Sequence, residues 1–369
     1  MRKEEMADED EKALSLIDEL NGYERLGEPD KAEKSAVWKI AIGLQRTDGL
    51  TPSDYLIETA KQNIDGHITF DEVKERLDSY YISRPICPED GDRVEEADKV
   101  SARIAEILSR AAFVFSPAEY MMIHKRLFTG IYQHAGKIRD YNISKPEWVL
   151  NGGTVTYSDA GSIRATLDYD FSQEKNHQYG GHGRIEIVER VARFISGIWQ
   201  IHPFGEGNTR TTAVFAIKYL RTLGFDVAND LFAEHSWYFR NALVRANYND
   251  RDKGIRPTYE FLDRFFGNLL LGEKNVLKNK DMHVSLSETN DAQNKAQNKA
   301  QNKAQKVTDA ETAVKNFLKE HPDATQTETA NAIGISRRTV QTLMSSLKEK
   351  GIIERDGSKK TGEWIVKDD

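Results

Sequence analysis

The chain has 369 residues and a formal net charge of −7; 38% of its residues are hydrophobic and 30% are charged. This length predicts two or three folding units, and the acidic balance argues against a protein that binds nucleic acid over its whole surface. Its apolar runs are far shorter than the roughly 20 residues of a membrane-spanning helix, while the acidic N-terminus and the single cysteine, Cys87, indicate a cytoplasmic protein without an internal disulfide.

Residues 1–84 are predicted to form a separate helical domain. Two Asp-Gly steps, Asp48-Gly49 and Asp65-Gly66, interrupt its helical patterns and predict turns. Two interpretations of this segment stay open, a regulatory domain or a helical brace that packs on the rest of the chain.

Residues 85–280 are predicted to form a mostly helical domain. Apolar side chains recur three and four positions apart, which is typical of a helix with one buried face; the best example contains Ile185, Val188, Val191, Ile195, Ile198 and Trp199.

A β-hairpin is expected within this helical domain, over residues 147–157. Two short β-prone runs flank Asn151-Gly152-Gly153, and this composition is typical of a tight hairpin turn. The alternative to an exposed flap is a plain ribbon in the core.

The segment from His202 to Arg210 reads His-Pro-Phe-Gly-Glu-Gly-Asn-Thr-Arg and lies between two predicted helices. A loop that enters a helix N-terminus presents unpaired backbone N–H groups at the positive end of the helix dipole, and this suits a phosphate. Gly205 and Gly207 let the backbone come close to such a group, and Arg210 adds a charged fork. Glu206 can hold Mg²⁺, which proteins usually bind through one or two carboxylates and phosphate oxygens. His202 is suited to accept a hydroxyl proton, because the unperturbed pKa of imidazole is about 6.5.

This segment resembles the signature of the Fic family, His-x-Phe-x-Asp/Glu-Gly-Asn-Gly-Arg-x-x-Arg, whose members transfer AMP from ATP to a Ser, Thr or Tyr hydroxyl of a protein. The resemblance implies His202 as general base, Glu206 as the Mg²⁺ ligand and a nucleotide site formed by Gly205, Glu206, Gly207, Asn208, Thr209 and Arg210. It extends over roughly residues 94–266. It also implies a helical core whose hairpin is a flap that docks the target backbone through Thr154, Val155, Thr156 and Tyr157.

Two positions depart from the family pattern. Thr209 stands where Gly is commonest, and Ala213 stands where the second Arg would hold the γ-phosphate. The choice of nucleotide donor therefore stays open.

The N-terminal domain resembles the small antitoxin-type domain of some Fic systems. Its inhibitory Ser/Thr-x-x-x-Glu-Gly/Asn motif is incomplete, since Ile42 replaces Glu when Gly43 is aligned with the motif glycine. Because the missing Glu and the missing second Arg are the two ends of one salt bridge, we expect that removing residues up to about Arg84 releases no large burst of activity.

Residues 281–307 are predicted to be a linker, because Ala-Gln-Asn-Lys repeats leave no side chain that could anchor a core. Residues 308–369 resemble a winged helix-turn-helix with a recognition helix over 337–350. Its DNA contacts would come from Arg337 and Arg338 in that helix and from Lys359 and Lys360 in the wing. A protein-docking winged helix is the alternative.

The sequence thus predicts a mainly α protein: a Fic helical core with a β-hairpin flap, plus a small C-terminal winged helix-turn-helix domain. The expected function is a protein adenylyltransferase that uses ATP and Mg²⁺ and modifies an unknown target protein or itself. The rival hypotheses are a DNA-binding transcriptional regulator with a weak or silent Fic core and a Fic transferase with another nucleotide donor. DNA and a second copy of the chain are candidate partners, and a membrane is not.

Overall fold

The computed structural model describes residues 29–83, 91–227, 230–284, 310–333, 335, 337–356 and 363–367. They form two compact units, divided at residues 287 and 288. Cys87, the repeat tract, Lys359 and Lys360 lie outside the described residues. Within the described ranges, no helix combines the length and apolarity needed to cross a bilayer.

The first unit is built from helices joined by loops and short 3-10 turns. In chain order its helices are α1 Pro29–Gly43, α2 Asp54–Ile64, α3 Phe70–Ile82, α4 Gly91–Ser109, α5 Pro117–Phe128, α6 Ile163–Lys175, α7 Arg184–Ile201, α8 Asn208–Thr222, α9 Leu231–Glu234, α10 Ser236–Asn247 and α11 Glu260–Leu271.

The helix boundaries in the N-terminal region follow from capping residues. The Ser53 side chain accepts a hydrogen bond from the backbone N–H of Leu56 at the start of α2, and Thr69 and Glu72 form a capping box at the start of α3. Gly49 and Gly66 have positive φ values of 67° and 80°, so both predicted Asp-Gly steps are turns.

Residues 29–83 share one hydrophobic core with residues 91–284. Trp38, Leu56 and Leu77 belong to the same buried cluster as Val100 and Ile198. The N-terminal helices are therefore packed as part of the first unit, as the brace interpretation expects.

Helix α8 lies at the centre of this core. All of its residues from Asn208 to Leu220 are buried, and helices α4, α5 and α7 pack around it. Because α8 is buried on every face from its first residue, the loop before it must also enter the core. The segment that precedes α8, residues 202–207, is thereby held in place at both ends.

The segment 147–157 corrects one detail of the prediction, because it contains no strand. A 3-10 turn spans Trp148–Leu150, Asn151 is left-handed with φ 54°, and the Glu147 N–H donates to the Gly153 carbonyl at 2.8 Å. After this turn the backbone is bound by a side chain of α7, where Gln200 Nε2 donates to the Thr156 carbonyl at 3.1 Å.

The second unit confirms the predicted winged helix. Helix α12, over residues 310–320, is followed by α13 Gln326–Ile333, α14 Arg337–Glu349 and two antiparallel strands, β1 Ile353–Asp356 and β2 Glu363–Val366. Its own small core contains Val314, Leu318, Val340, Leu347 and Ile353.

The shared core predicts that damage to α1 destabilises the whole first unit. Trp38 is fully buried, its Nε1 donates to Asn63 Oδ1 at 3.0 Å, and its ring stacks on Phe70. We expect Trp38→Ala to lower the free energy of unfolding by about 3–5 kcal/mol, measured by urea unfolding. The control is Tyr169→Ala, which truncates an exposed aromatic ring. Selective early proteolysis of residues 29–83, with residues 91–284 still resistant, would contradict the shared core.

Candidate functional site

His202 lies where α7 ends, and its backbone has a conformation that residues other than glycine rarely adopt. Its φ is 51° and its ψ is 60°, which is left-handed. Its Nδ1 lies 3.2 Å from the Trp199 carbonyl, and its ring centroid lies 4.2 Å from that of Tyr157. Since a carbonyl can only accept, Nδ1 carries the proton and the lone pair is on Nε2.

The electrostatic surroundings keep this imidazole neutral. Burial lowers the pKa of His202 well below its ordinary value, and the charges of Lys145, Arg240 and Arg139 lower it further, against the hydrogen bond to Trp199. His202 is only 4% exposed. A neutral ring with its lone pair on Nε2 can take a proton from a hydroxyl group throughout the physiological pH range.

The loop after His202 depends on its two glycines. Gly207 has φ 75° and caps α8, and a Cβ atom there would collide with the ring of Phe128. A Cβ on Gly205 would lie 2.7 Å from the Tyr141 hydroxyl. The first N–H groups of α8, which have no partner within the helix, follow directly after this compact loop, and an anion site at this point stays a prediction.

Asn208 and Phe204 close the loop. Asn208 Oδ1 accepts from the Phe204 N–H at 3.1 Å, and Asn208 Nδ2 donates to the Phe204 carbonyl at 2.7 Å. Phe204 is fully buried, as expected. The amide of Asn208 is thus used to shape the loop, and a direct phosphate contact by this side chain stays a prediction.

His124 lies beneath the loop, and the sequence analysis did not identify it. Its ring stacks on Phe204 with a centroid distance of 3.7 Å, and its Nδ1 accepts from the Gly136 N–H at 2.8 Å. Nε2 therefore carries the proton and donates to the Glu206 carbonyl at 3.0 Å. Burial lowers the pKa of His124 to about 3. A lone His within an apolar helix pattern carries no sequence signal for this role.

Arg139 connects the loop to the predicted flap. Its Nε donates to the His202 carbonyl at 2.8 Å, and its two Nη atoms donate to the carbonyls of Tyr141 and Ser158. A single arginine in a loop forms no local pattern that predicts this role.

The four predicted flap residues lie next to His202 in different environments. Tyr157 contacts the His202 ring, and Val155 is buried. Thr154 Oγ1 accepts from the Lys145 N–H at 3.1 Å, and Thr156 is exposed. The segment is therefore anchored on alternate residues, with the others facing outward.

Arg210 is the most heavily engaged side chain of the predicted site. Its Nε lies 2.7 Å from Asp48 Oδ2, and its Nη atoms lie 2.6 Å from Glu96 Oε1 and 3.0 Å from Gln45 Oε1. Its guanidinium also lies over the ring of Phe128 at 4.8 Å, and the residue is 1% exposed. Burial alone would lower the pKa of Arg210, but the neighbouring acidic groups raise it above its ordinary value.

These contacts join the N-terminal segment to the predicted site through charge as well as packing. Asp48 and Gln45 belong to the 3-10 helix Leu44–Asp48, directly after α1. Deleting residues up to about Arg84 would remove two partners of Arg210 and also part of the shared core. Such a truncation cannot separate regulation from folding.

The two departures from the family pattern have structural explanations. Thr209 Oγ1 accepts from Trp199 Nε1 at 3.0 Å, so this threonine joins α7 to α8. Ala213 is fully buried. Helix α8 therefore presents Arg210 as its single cation near the loop.

Glu206 is the one acidic side chain of the loop. Its Oε2 lies 2.8 Å from Lys145 Nζ, and its side chain is 56% exposed. Among the described residues no cluster of three or more metal-binding side chains occurs. A single accessible carboxylate fits a Mg²⁺ ion that arrives bound to phosphate oxygens, since Mg²⁺ commonly takes only one or two protein carboxylates.

A cavity of about 620 Å³ opens beside Glu206 and Arg210. This volume lies within the usual range for a small-molecule site. Its wall also contains residues 46–51, the start of α4, and Trp237 and Arg240 of α10.

Of the predicted DNA-binding residues, Arg337 lies among the described side chains. Arg337 is exposed at the start of α14. The side chain of Arg338 is not among the described parts of the chain, nor are Lys359 and Lys360.

Comparison with known proteins identifies two domains. Residues 114–220 match the Fic/DOC family, and residues 316–354 match the winged helix-turn-helix DNA-binding family. The chain is 29% identical over 105 residues to protein adenylyltransferase VbhT of Bartonella schoenbuchensis, covering 28% of this chain and 21% of that protein. It is 25% identical over 133 residues to the probable protein adenylyltransferase y4lH of Sinorhizobium fredii, covering 36% of this chain and 66% of that protein.

The matched stretch thus spans about a fifth of the first relative and just under two thirds of the second. Among solved structures, a Fic family protein from Desulfovibrio desulfuricans has a TM-score of 0.42 at 15% identity, with coverage of 97% of this chain and 96% of that chain.

The buried histidines of the site, His124 and His202, predict a loss of stability in acid. An unfolded imidazole takes up a proton below about pH 6.5, whereas the folded state with its lowered pKa does not, so stability falls as pH falls. For His124 we expect a loss of about 2 kcal/mol between about pH 6.5 and about pH 5. Urea unfolding at both pH values should show a smaller loss in His124→Gln than in the unchanged chain. An equal change in the control His182→Gln, an exposed histidine, would refute the assignment.

Proposed function

We propose that the chain is a protein adenylyltransferase, from the match of residues 114–220 to the Fic/DOC family and of residues 316–354 to the winged helix-turn-helix DNA-binding family. It moves AMP from ATP to a Ser, Thr or Tyr hydroxyl of a target protein or of itself. The observation that carries this proposal is the buried, neutral His202, whose Nδ1 is bound to the Trp199 carbonyl and whose Nε2 is left to accept a proton.

The proposed reaction starts at the target hydroxyl. His202 Nε2 removes the hydroxyl proton, and the oxygen forms a bond to the α-phosphorus of ATP while the bond to the bridging oxygen of pyrophosphate breaks. The loop backbone between Gly205 and Asn208 supplies N–H groups for the charge that develops on the phosphate oxygens. Mg²⁺ bound with ATP at Glu206 would neutralise phosphate charge.

The target would be aligned by residues 154–157. Alternate side chains of this segment are buried or bound, and it lies against His202 through Tyr157. An extended target segment could pair with the outward-facing backbone, a form of strand addition that tolerates varied side chains. The names of the two relatives, both adenylyltransferases, support AMP as the transferred group. Ala213 keeps a different nucleotide donor as the alternative.

A specific observation also favours DNA binding by the second unit. Arg337, Gln341, Ser345 and Lys348 are exposed at helical spacing on α14, while Val340, Leu343, Met344 and Leu347 are buried on its other face. A polar face that carries cations and amide or hydroxyl groups suits contacts with phosphates and base edges. This supports a second candidate function, a DNA-binding regulator whose transferase core is weak or silent.

The transferase proposal predicts that His202→Ala lowers the rate of transfer by a hundredfold or more, roughly the contribution of a general base. ATP affinity should stay unchanged, because this residue acts on the hydroxyl. The measurement is the mass increment of an AMP group on proteins of a bacterial lysate and on the chain itself, beside calorimetry with ATP. The exposed His67→Ala is the control. Near-normal transfer by His202→Ala would show that the mechanism is wrong.

The DNA-binding candidate predicts a salt-dependent gel shift by the full chain. Arg337→Ala should weaken binding about equally across DNA sequences and reduce the slope of log affinity against log salt by about 1, as expected for one lost phosphate contact. Lys319→Ala, which removes an exposed cation from the helix over 310–320, is the control and should keep the slope. An equal effect of both variants, or no shift at low salt, would count against DNA binding through α14.

A further inference from the structure

The cavity beside the loop has a cationic wall that the family signature does not explain. Its lining includes the loop residues Glu206 and Arg210, but also Arg46 from the 3-10 helix Leu44–Asp48 and Arg93 from the first turn of α4. Five of its lining side chains are cationic and three are acidic. The cavity therefore favours an anionic ligand.

Most of these cations already face a carboxylate. Arg210 is paired with Asp48 and Glu96. Arg240 lies 2.6 Å from Glu147, a carboxylate that is itself buried. Opening the second pair would leave the buried charge of Glu147 uncompensated, and the charge of Arg210 is already balanced by two carboxylates.

Lys145 is also paired, with the exposed carboxylate of Glu206 at 2.8 Å. This pair is more accessible, but its partner is the side chain proposed to face the metal ion. An anionic ligand with several phosphates would therefore need a further source of positive charge for its terminal phosphates.

Arg93 meets this need. Within the described ranges it forms no ion pair with a carboxylate, and its Nη2 donates to a neutral acceptor, the Asp48 carbonyl, at 2.8 Å. It lies in the first turn of α4, where the helix dipole disfavours a cation unless an anion is close. A phosphate oxygen would bind this guanidinium more strongly than the carbonyl does, because both partners would then be charged.

We propose that Arg93, assisted by Arg46, binds the terminal phosphates of a nucleoside polyphosphate donor. This inference rests on the proposed function. Arg46 lines the same cavity, and its Nη1 donates to the Glu234 carbonyl at 3.3 Å. The two arginines supply the charge that Ala213 cannot supply from α8. The N-terminal region and the start of α4 thereby form part of the donor site, and they determine the preference for a triphosphate over a monophosphate.

The test is calorimetry on the full chain with Mg²⁺ and, in turn, ATP, ADP, AMP and inorganic tripolyphosphate. Arg93→Ala should lower the affinity for ATP and for tripolyphosphate about tenfold or more, which is the usual effect of a lost charge-assisted contact. The affinity for AMP should stay unchanged. Arg93→Lys should restore part of the loss, and Arg46→Ala should give a smaller loss of the same kind. Arg76→Ala is the matched control, since this exposed arginine of α3 bonds to Gln62 outside the cavity.

The ratio of ATP to AMP affinity decides the outcome. The inference would be overturned if this ratio were unchanged in both Arg93→Ala and Arg46→Ala. It would also be overturned if the folded Arg93→Lys chain bound all four ligands more weakly by the same factor. If the unchanged chain transfers AMP while the ratio does not depend on Arg93, the proposed function stands and this donor site fails. If the ratio depends on Arg93 but no nucleotide is transferred, the donor site stands and the proposed reaction fails.

Discussion

The first unit depends on the burial of one guanidinium. Arg210 lies at the start of the central helix α8 and is almost inaccessible to water, so its charge requires partners. Asp48 and Glu96 provide them from two other regions of the chain, the 3-10 helix after α1 and the first half of α4. The ion pairs fix where these regions lie relative to the loop. A side chain that sequence similarity suggests for ligand binding is thus also a structural junction.

The loop itself is set by two neutral imidazoles in opposite tautomers. His202 donates from Nδ1 to the end of α7, which leaves Nε2 for chemistry. His124 accepts at Nδ1 and donates from Nε2 to the Glu206 carbonyl, and its ring supports Phe204. Burial lowers the pKa of both rings, so neither tautomer is lost by protonation near neutral pH. The tautomer of His202 and the shape of the loop therefore share one cause, the burial of both rings around α7 and α8.

The N-terminal region is joined to this site by packing and by charge. Its helices share the core of residues 91–284, Asp48 and Gln45 bind Arg210, and Arg46 lines the cavity. An inhibitory motif need not be present for such a region to affect activity. Any movement of the 3-10 helix Leu44–Asp48 would change the partners of Arg210 and the charge facing the cavity at the same time. The contacts of Arg210 and the charge that faces the cavity therefore depend on one element.

The sequence by itself determined the features that depend on residues close together in the chain. The helix periodicity, the Asp-Gly turns and the loop from His202 to Arg210 follow from local spacing, and the loop predicts a base beside an anion site. The winged helix follows from a resemblance to a known domain. Tertiary structure alone decided the partners of Arg210, the pairing of Lys145 with Glu206 and the support by His124. It also decided that residues 147–157 form a turn bound by side chains. Each of these contacts joins residues far apart in the chain, and a local pattern contains no information about which distant side chain completes a buried charge or hydrogen bond.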